Sequence, residues 1–225
     1  MNERTREEQY GIVFDVIKKH GRAQLGLMVN ESWNQDPRRI VFTLARYKFV
    51  SKMLSGRKNV LEVGCADAFG TRLVQQEVGS ITAVDYDPIF IEDAISRANP
   101  HWPMTCKLHD MLEGPVEGSF DGVYCLDVLE HITSKDETKF MANIVASMTR
   151  QGVAIFGLPS LESQVYASPQ SKAGHVNCKS GGSLKEFLLM SFENVFMFSM
   201  NDEVIHTGYL PMAHYLMALC VGPKS

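Results

Sequence analysis

The sequence predicts an α/β fold on a mostly parallel sheet, and three features of the chain carry that prediction. From residue 58 onward, short β-rich runs alternate with segments of helical character, the order found where helices cross between neighbouring parallel strands. Several of the helical segments open on explicit start signals. The last two β-rich runs are joined by a short polar connection in place of a helix, which requires an antiparallel ending.

Seven strands are expected, at 58–63, 80–85, 103–107, 120–126, 152–157, 193–199 and 213–221, the final two as a hairpin-like pair. Asp87-Pro88 places an N-cap just before a proline at the first helical position, where its missing N–H is no loss. Ser134 with Glu137, and Ser183 with Glu186, have the spacing of a capping box. The first 57 residues read differently, with one helix near 4–19 and a second from Asp36-Pro37 to about Leu54. On the second, Ile40, Leu44, Tyr47 and Leu54 form one apolar line and Phe42, Phe49 and Met53 another. A helix apolar on two sides is buried on both, so it either packs on the sheet while covering a ligand or is an additional core helix. The expected organisation is a helical cap over 1–57 and one compact domain over 58–225.

At 225 residues the chain can bury one full hydrophobic core. It contains no apolar run of the roughly 18 residues that a membrane span needs, and its start, MNERTREEQ, is charged where a signal peptide is apolar. A cytoplasmic protein without a membrane partner is expected. Five cysteines, odd in number and without CxxC spacing, suit reduced thiols. A net charge of −4 argues against a general nucleic-acid binder. Arg38, Arg39, Arg46, Lys48, Lys52, Arg57 and Lys58 form one locally basic stretch, either a solvated helix face or an anion-binding lid.

The chemistry-bearing signal begins at the first strand. It runs Asn59-Val-Leu-Glu-Val-Gly-Cys-Ala-Asp-Ala-Phe-Gly70: a strand, a small-residue turn, then a helix. Such a turn lets backbone N–H groups approach a nucleotide-type ligand. Acidic residues make it more specific. Glu62 lies inside the strand, Asp85 ends the next one, and Asp110 follows the third in His109-Asp110-Met111. An acid in the second position can accept from both ribose hydroxyls, and one in the third from an adenine amino group. A dinucleotide-binding oxidoreductase is the rival reading, but it expects GxGxxG, whereas this turn reads GxAxAxG.

Through these residues the chain resembles the class I S-adenosylmethionine (SAM)-dependent methyltransferases over about 36–225. The family's glycine-rich motif matches Glu62-Val-Gly64-Cys-Ala66-Asp-Ala68, its ribose acid Asp85 and its adenine-side acid Asp110. The segment Phe120-Asp-Gly-Val-Tyr-Cys-Leu-Asp-Val-Leu-Glu-His-Ile132 is similar to that of the ubiquinone-pathway O-methyltransferases. The resemblance implies a Rossmann-like seven-stranded sheet with an antiparallel last strand, helices on both faces and a helical lid. It implies SAM as cofactor, held by Glu62, Gly64, Ala66, Asp85, Tyr86, Asp110, Met111 and Leu126. Ala66 and Ala68 depart from the family's glycines and lose the freedom for positive φ; an altered turn that still works is expected, and a decayed SAM-binding regulatory protein is the alternative.

The fourth strand ends in Asp127-Val-Leu-Glu130-His131, where methyl transfer would take place. His131 is the candidate general base because imidazole titrates near neutrality, with Glu130 and His175 beside it; a helix-start histidine is the plain reading. No NPPY or DPPY follows, which favours oxygen over a nucleobase amine; N-methylation of a small amine stays open. Asp127, Glu130, His131 and the later His175 also resemble the E-x-x-E-H plus distant His set of small-RNA 3′-end methyltransferases, which implies Mg²⁺ or Mn²⁺.

The polar stretch 159–182, with Tyr166, Lys172 and Lys179, is long for a connection. It suits a small polar acceptor derived from a sugar or amino acid, with lysines able to meet a phosphate. A second polar cluster, Asn201-Asp-Glu with His206, Thr207 and His214, can join that site, support a homodimer or be a surface turn. Gly174-His-Val-Asn-Cys-Lys179 and Asn201-Asp-Glu-Val-Ile-His206 are similar to methyltransferases of bacterial capsule and surface-polysaccharide pathways.

Overall fold

A computed structural model of the chain describes residues 5–224. Its centre is an eight-stranded sheet formed by β1 (Asn59–Val63), β2 (Ser80–Asp85), β3 (Thr105–Leu108), β4 (Phe120–Leu126), β5 (Met148–Pro159), β6 (Phe192–Met200), β7 (Ile205–His206) and β8 (Tyr215–Pro223). The spatial order is β3-β2-β1-β4-β5-β8-β6-β7. Every pairing from β3 to β5 is parallel, and β8 runs antiparallel to both β5 and β6. The α/β expectation holds with one correction in number. The eighth strand is the two-residue β7, which pairs with Ser199 and Met200 and is too short to leave a periodicity.

The strands are apolar where the sheet is covered on both faces. In β4 every residue but Asp121 is buried, and β5 is continuously buried from Gly152 to Leu158, as parallel strands between helical layers must be. The chain order of the helices is α1 (Ile12–His20), α2 (Leu27–Gln35), α3 (Arg38–Met53), α4 (Thr71–Gln75), α5 (Pro88–Ser96), α6 (Glu137–Ala146), α7 (Pro169–Gly174) and α8 (Gly181–Ser191). One core cluster unites β-strand residues with Phe140, Met141 and Ile144 of α6 and Leu184 and Leu188 of α8. A second joins Tyr47, Val50 and Leu54 of α3 to Val60, Tyr124, Ile155 and Met217.

The N-terminal region differs from its sequence reading in detail. The expected helix at 4–19 is a 3₁₀ turn at Glu8–Gly11 followed by α1, and residues 1–4 lie outside the described residues. Helix α2 was not foreseen. On α3 the buried line is Tyr47, Val50, Ser51 and Leu54. Phe42 and Phe49 are half-buried against the same cluster, and Met53 is exposed.

Asp87 caps α5 as expected, its Oδ1 accepting from Ile89 N at 3.0 Å. The two capping boxes are displaced. Asp136 occupies the N-cap of α6 with its carboxylate on the Thr133 hydroxyl at 2.6 Å and not on a helix N–H, and Ser180, not Ser183, caps α8, accepting from the Ser183 N–H at 3.2 Å. Ser134 makes no cap at α6, and at α8 the cap lies three residues before the expected serine.

Candidate active site

The ends of β2, β1 and β4 lie side by side. Val63 is in register with Val84 on one side and Cys125 on the other, so the residues that follow these strands share one edge of the sheet. The turn after β1 is shaped by Gly64 at φ +75, Ala66 at 45 and Ala68 at 52. A Cβ on Gly64 would overlap Val128 Cγ2, so the chain needs glycine there for space as well as for φ. The two alanines, expected to resist positive φ, adopt it nevertheless. Left-handed backbone costs an alanine roughly 1–2 kcal/mol, and such strain persists where the surroundings impose it.

Four backbone N–H groups hold this turn in place. Gly64 N and Cys65 N both donate to the Val84 carbonyl, at 2.8 and 3.0 Å. Ala66 N donates to Asp85 Oδ2 at 2.8 Å, while Asp85 Oδ1 accepts from Asp87 N at 3.0 Å. Asp85 thus ties the β1 turn to the end of β2, with exposed Tyr86 beside it. Asp110 follows β3 and accepts from Leu112 N at 2.7 Å. Met111 and Leu126 are buried, Met111 in the core cluster that includes α6 and α8 and Leu126 in the one that includes α3.

Glu62 has a different environment. It is buried, and its carboxylate accepts from three hydroxyls: Tyr47 at 2.8 Å, Tyr124 at 2.7 Å and Thr71 at 2.5 Å. Burial raises its pKa to about 7, against the lowering effect of the three hydrogen bonds. The acid therefore faces a hydroxyl network linking α3, β4 and α4, and supports the turn from behind. The Tyr47 ring lies so close to Gly70 that a Cβ there would overlap it, which seats α3 directly over the turn. Helix α2 is fastened to the same loop, since Val29 N donates to Asp67 Oδ2 at 2.9 Å.

At the end of β4, Asp127 holds a left-handed φ of 57 with its N–H on the Gly157 carbonyl at 2.8 Å. Its carboxylate is ion-paired with Arg46 of α3, whose guanidinium also lies 3.9 Å over the Tyr215 ring. The sequence reading placed Arg46 only in a basic stretch; nothing in its spacing marks it as the residue that meets Asp127. Asp127 stands apart from the other three residues read as metal ligands.

Those three do come together. Glu130, His131 and His175 each offer one ligand atom, and these atoms lie within 4.8 Å of one another. His131 Nδ1 is 2.8 Å from the Gly174 carbonyl, and His175 Nδ1 is 2.8 Å from Gln164 Oε1. Gln164 Nε2 donates to the Ser160 carbonyl, which fixes the amide orientation. Both Nδ1 atoms must therefore carry the proton, and each Nε2 keeps its lone pair. Glu130 Oε2 is buried without a hydrogen-bond partner. Burial pushes the Glu130 carboxyl well above the usual range, Asp127 pushing the same way, while burial followed by His131 lowers His175. The segment bearing His175 is held against this group, because Val176 N and Asn177 N both donate to the Glu130 carbonyl at 2.9 Å.

Residues 60–152 match the family described as a methyltransferase domain. Over 83 residues the chain is 36% identical to the mitochondrial ubiquinone biosynthesis O-methyltransferase of Schizosaccharomyces pombe, a match covering 35% of this chain and 30% of that relative's length. Among solved structures, the N-methyltransferase NodS of Bradyrhizobium japonicum in complex with S-adenosyl-L-homocysteine (SAH) has a TM-score of 0.61 at 19% identity, covering 85% of this chain and 92% of that one. The methyltransferase domain of the bacterial protein CtHen1 has a TM-score of 0.65 at 14% identity, covering 80% and 98%.

Sheet order, strained turn and acid-tipped strand ends give the chain a fold similar to that of those methyltransferases. Together with the matched segment they place a methyltransferase domain at residues 60–152, in a chain whose fold is similar to that of methyltransferases solved with SAH, and SAM is the cofactor such a domain uses. The residues present fit that cofactor. Around Asp127, Arg46 Nε, Tyr215 Oη and Glu130 Oε2 are buried polar atoms without partners, as expected at an edge built to receive charged and hydrogen-bonding groups.

Proposed function

We propose that the protein transfers the methyl group of SAM to a hydroxyl oxygen of a small polar acceptor activated at Glu130, His131 and His175. The observation that carries this reading is the meeting of one carboxylate and two imidazoles of defined tautomer at the end of β4. SAM supplies a methyl group on a positively charged sulfur, already a competent electrophile. The protein has to align the acceptor and dispose of its proton.

Gly64, Ala66, Asp85, Tyr86, Asp110, Met111 and Leu126 would hold the cofactor, with lone pairs remaining on Asp85 and Asp110 for hydroxyl and amino hydrogens. Glu62 positions that turn through Tyr47, Thr71 and Tyr124. His131 Nε2 can accept the acceptor's proton, its Nδ1–H steadied by the Gly174 carbonyl. Alternatively, with the same Nε2 as a ligand in place of a base, Glu130, His131 and His175 would hold a divalent cation, Mn²⁺ or Mg²⁺, whose chemistry there is to make a hydroxyl more acidic. The unpartnered Glu130 oxygen favours the cation, because a simple base needs no third ligand. Five unpaired thiols support a cytoplasmic setting, and no helix among the described residues is long and apolar enough to cross a membrane.

The test is SAH release over a mixture of hydroxylated metabolites. His131→Ala should lose about 10²-fold or more in rate, and EDTA should abolish turnover that Mn²⁺ restores. Little loss in His131→Ala would move the reading to an amine acceptor. Turnover untouched by EDTA would leave His131 as an unassisted base.

A further inference from the structure

Beside the triad lies a second concavity. It has a volume of about 440 Å³ and is formed between a 3₁₀ turn at Glu162–Tyr166 and the segment 201–214, within the roughly 300–1,000 Å³ of small-ligand sites. Its lining residues are chain neighbours of residues that meet the candidate active site. Gln164, in the same turn as Glu162 and Tyr166, accepts from His175. His214 adjoins Tyr215, over which Arg46 lies, and its ring is 6.4 Å from that of Phe42 on α3.

The lining has two kinds of surface. Tyr166 is 82% exposed and Met212 75%, large apolar side chains presented to solvent in a polar surrounding, which is the informative kind of exposure. Interleaved with them are Glu162, Asn201 and His214, which together accept and donate hydrogen bonds. The only formal charge among the lining residues is the negative Glu162. His214 is pushed below its usual pKa by burial and then by Arg46, which keeps it neutral near pH 7.

Of the basic residues read as able to meet a phosphate, none lines the cavity and five are ion-paired elsewhere. Arg38 pairs with Asp36, Arg39 with Glu31, Arg46 with Asp127 and Lys52 with Glu77. Lys179 pairs with Glu137 at 2.7 Å. Lys172 donates to the Val165 carbonyl at 3.4 Å and does not line the cavity. An anionic acceptor would meet Glu162 with no opposing charge in the lining, an unfavourable arrangement in any partly desolvated site.

We infer that this cavity is the acceptor subsite and that it takes an uncharged sugar ring, a glycoside bearing no phosphate or carboxylate. The apolar face of the ring lies on Tyr166 and Met212, its hydroxyls bond to Glu162, Asn201 and His214, and one hydroxyl is presented across Gln164 toward His175. The inference rests on the methyl-transfer reading above for what happens next, but the binding itself can be read alone.

Saturation-transfer NMR with millimolar methyl α-glucoside, methyl α-mannoside, methyl α-galactoside and N-acetylglucosamine, with and without SAH, tests it. At least one should show transfer to its ring protons, falling at least five-fold in Tyr166→Ala and in Glu162→Ala. Both residues are exposed, and unchanged melting curves will show that the variants fold. The matching sugar 1-phosphates should bind more weakly than the neutral forms. Absence of transfer to any glycoside, transfer that survives both substitutions, or preference for the phosphates would overturn the inference. Calorimetry with SAH separates the two readings: intact SAH binding without glycoside binding sinks the subsite alone, and glycoside binding without SAH binding sinks the methyl-transfer reading alone.

Discussion

Glu62 shows how far a single residue can be read before its neighbours are known. Its position two residues before Gly64 marks it as part of a nucleotide-type turn, but no sequence spacing reveals that Tyr47, Thr71 and Tyr124 converge on it from three other elements. The consequence is a pH effect. Its folded-state pKa of about 7 lies above that of an unfolded glutamate, so the folded chain binds the proton more tightly. The stabilisation is complete below about pH 4.5 and declines as pH rises toward 7. Melting temperatures of the wild type should therefore fall by several degrees across that window, and Glu62→Gln should flatten the slope. Gly64 was legible as an essential glycine, though not the reason, since Val128 approaches from a different strand end. Gly64→Ala should cost at least 2 kcal/mol in a denaturant titration. Val128→Ala in the same chain should recover part of that loss, because it removes the overlap and leaves the unfavourable φ.

Elements were legible where periodicity was strong and obscure where tertiary contacts decide. The buried runs of β4 and β5 announce themselves, whereas α2 contributes one buried residue, Val29, and hence no apolar stripe for a reader to find. Its start is set at long range by Asp67, which accepts from Val29 N and so caps the helix from the cofactor turn. Asp67→Ala should cost about 1 kcal/mol and accelerate hydrogen exchange over 27–35 while leaving β1 protected. Exchange unchanged over α2 would show that the cap does not hold it. The segment 175–179 is likewise held by a contact that sequence cannot show. Lys179 and Glu137, with side chains 11% and 15% exposed, form a nearly buried pair that Asn177 joins by donating to Glu137 at 2.6 Å. Removing one partner of such a pair leaves the other charge unpaired, so Lys179→Met should destabilise by about 3 kcal/mol, and it should also loosen His175, seen as broadened imidazole resonances.

At the scale of the molecule, alternation of strand and helix made the parallel half of the sheet readable, and the motif residues Gly64, Asp85 and Asp110 fall at one end of its strands. The acceptor side was less legible because it depends on which charges meet. Arg46, Lys52 and Lys179, read as available for an anion, are paired with acids distant in the chain whose proximity follows only from the fold. The same holds for His131 and His175, distant in the chain and brought to ring centroids 5.3 Å apart by the crossing from β5 to α8.

Strand β8 pairs on one flank with β5 from Val153 to Pro159 and on the other with β6 from Phe192 to Met200. A polypeptide emerging from the ribosome has made both flanks before the strand that belongs between them. Until that strand arrives, two rows of unpaired backbone amides and carbonyls face water, a template for association with other chains. Synthesis and completion of the sheet are thus separated in time, and open strand edges of this kind are prone to association during that interval.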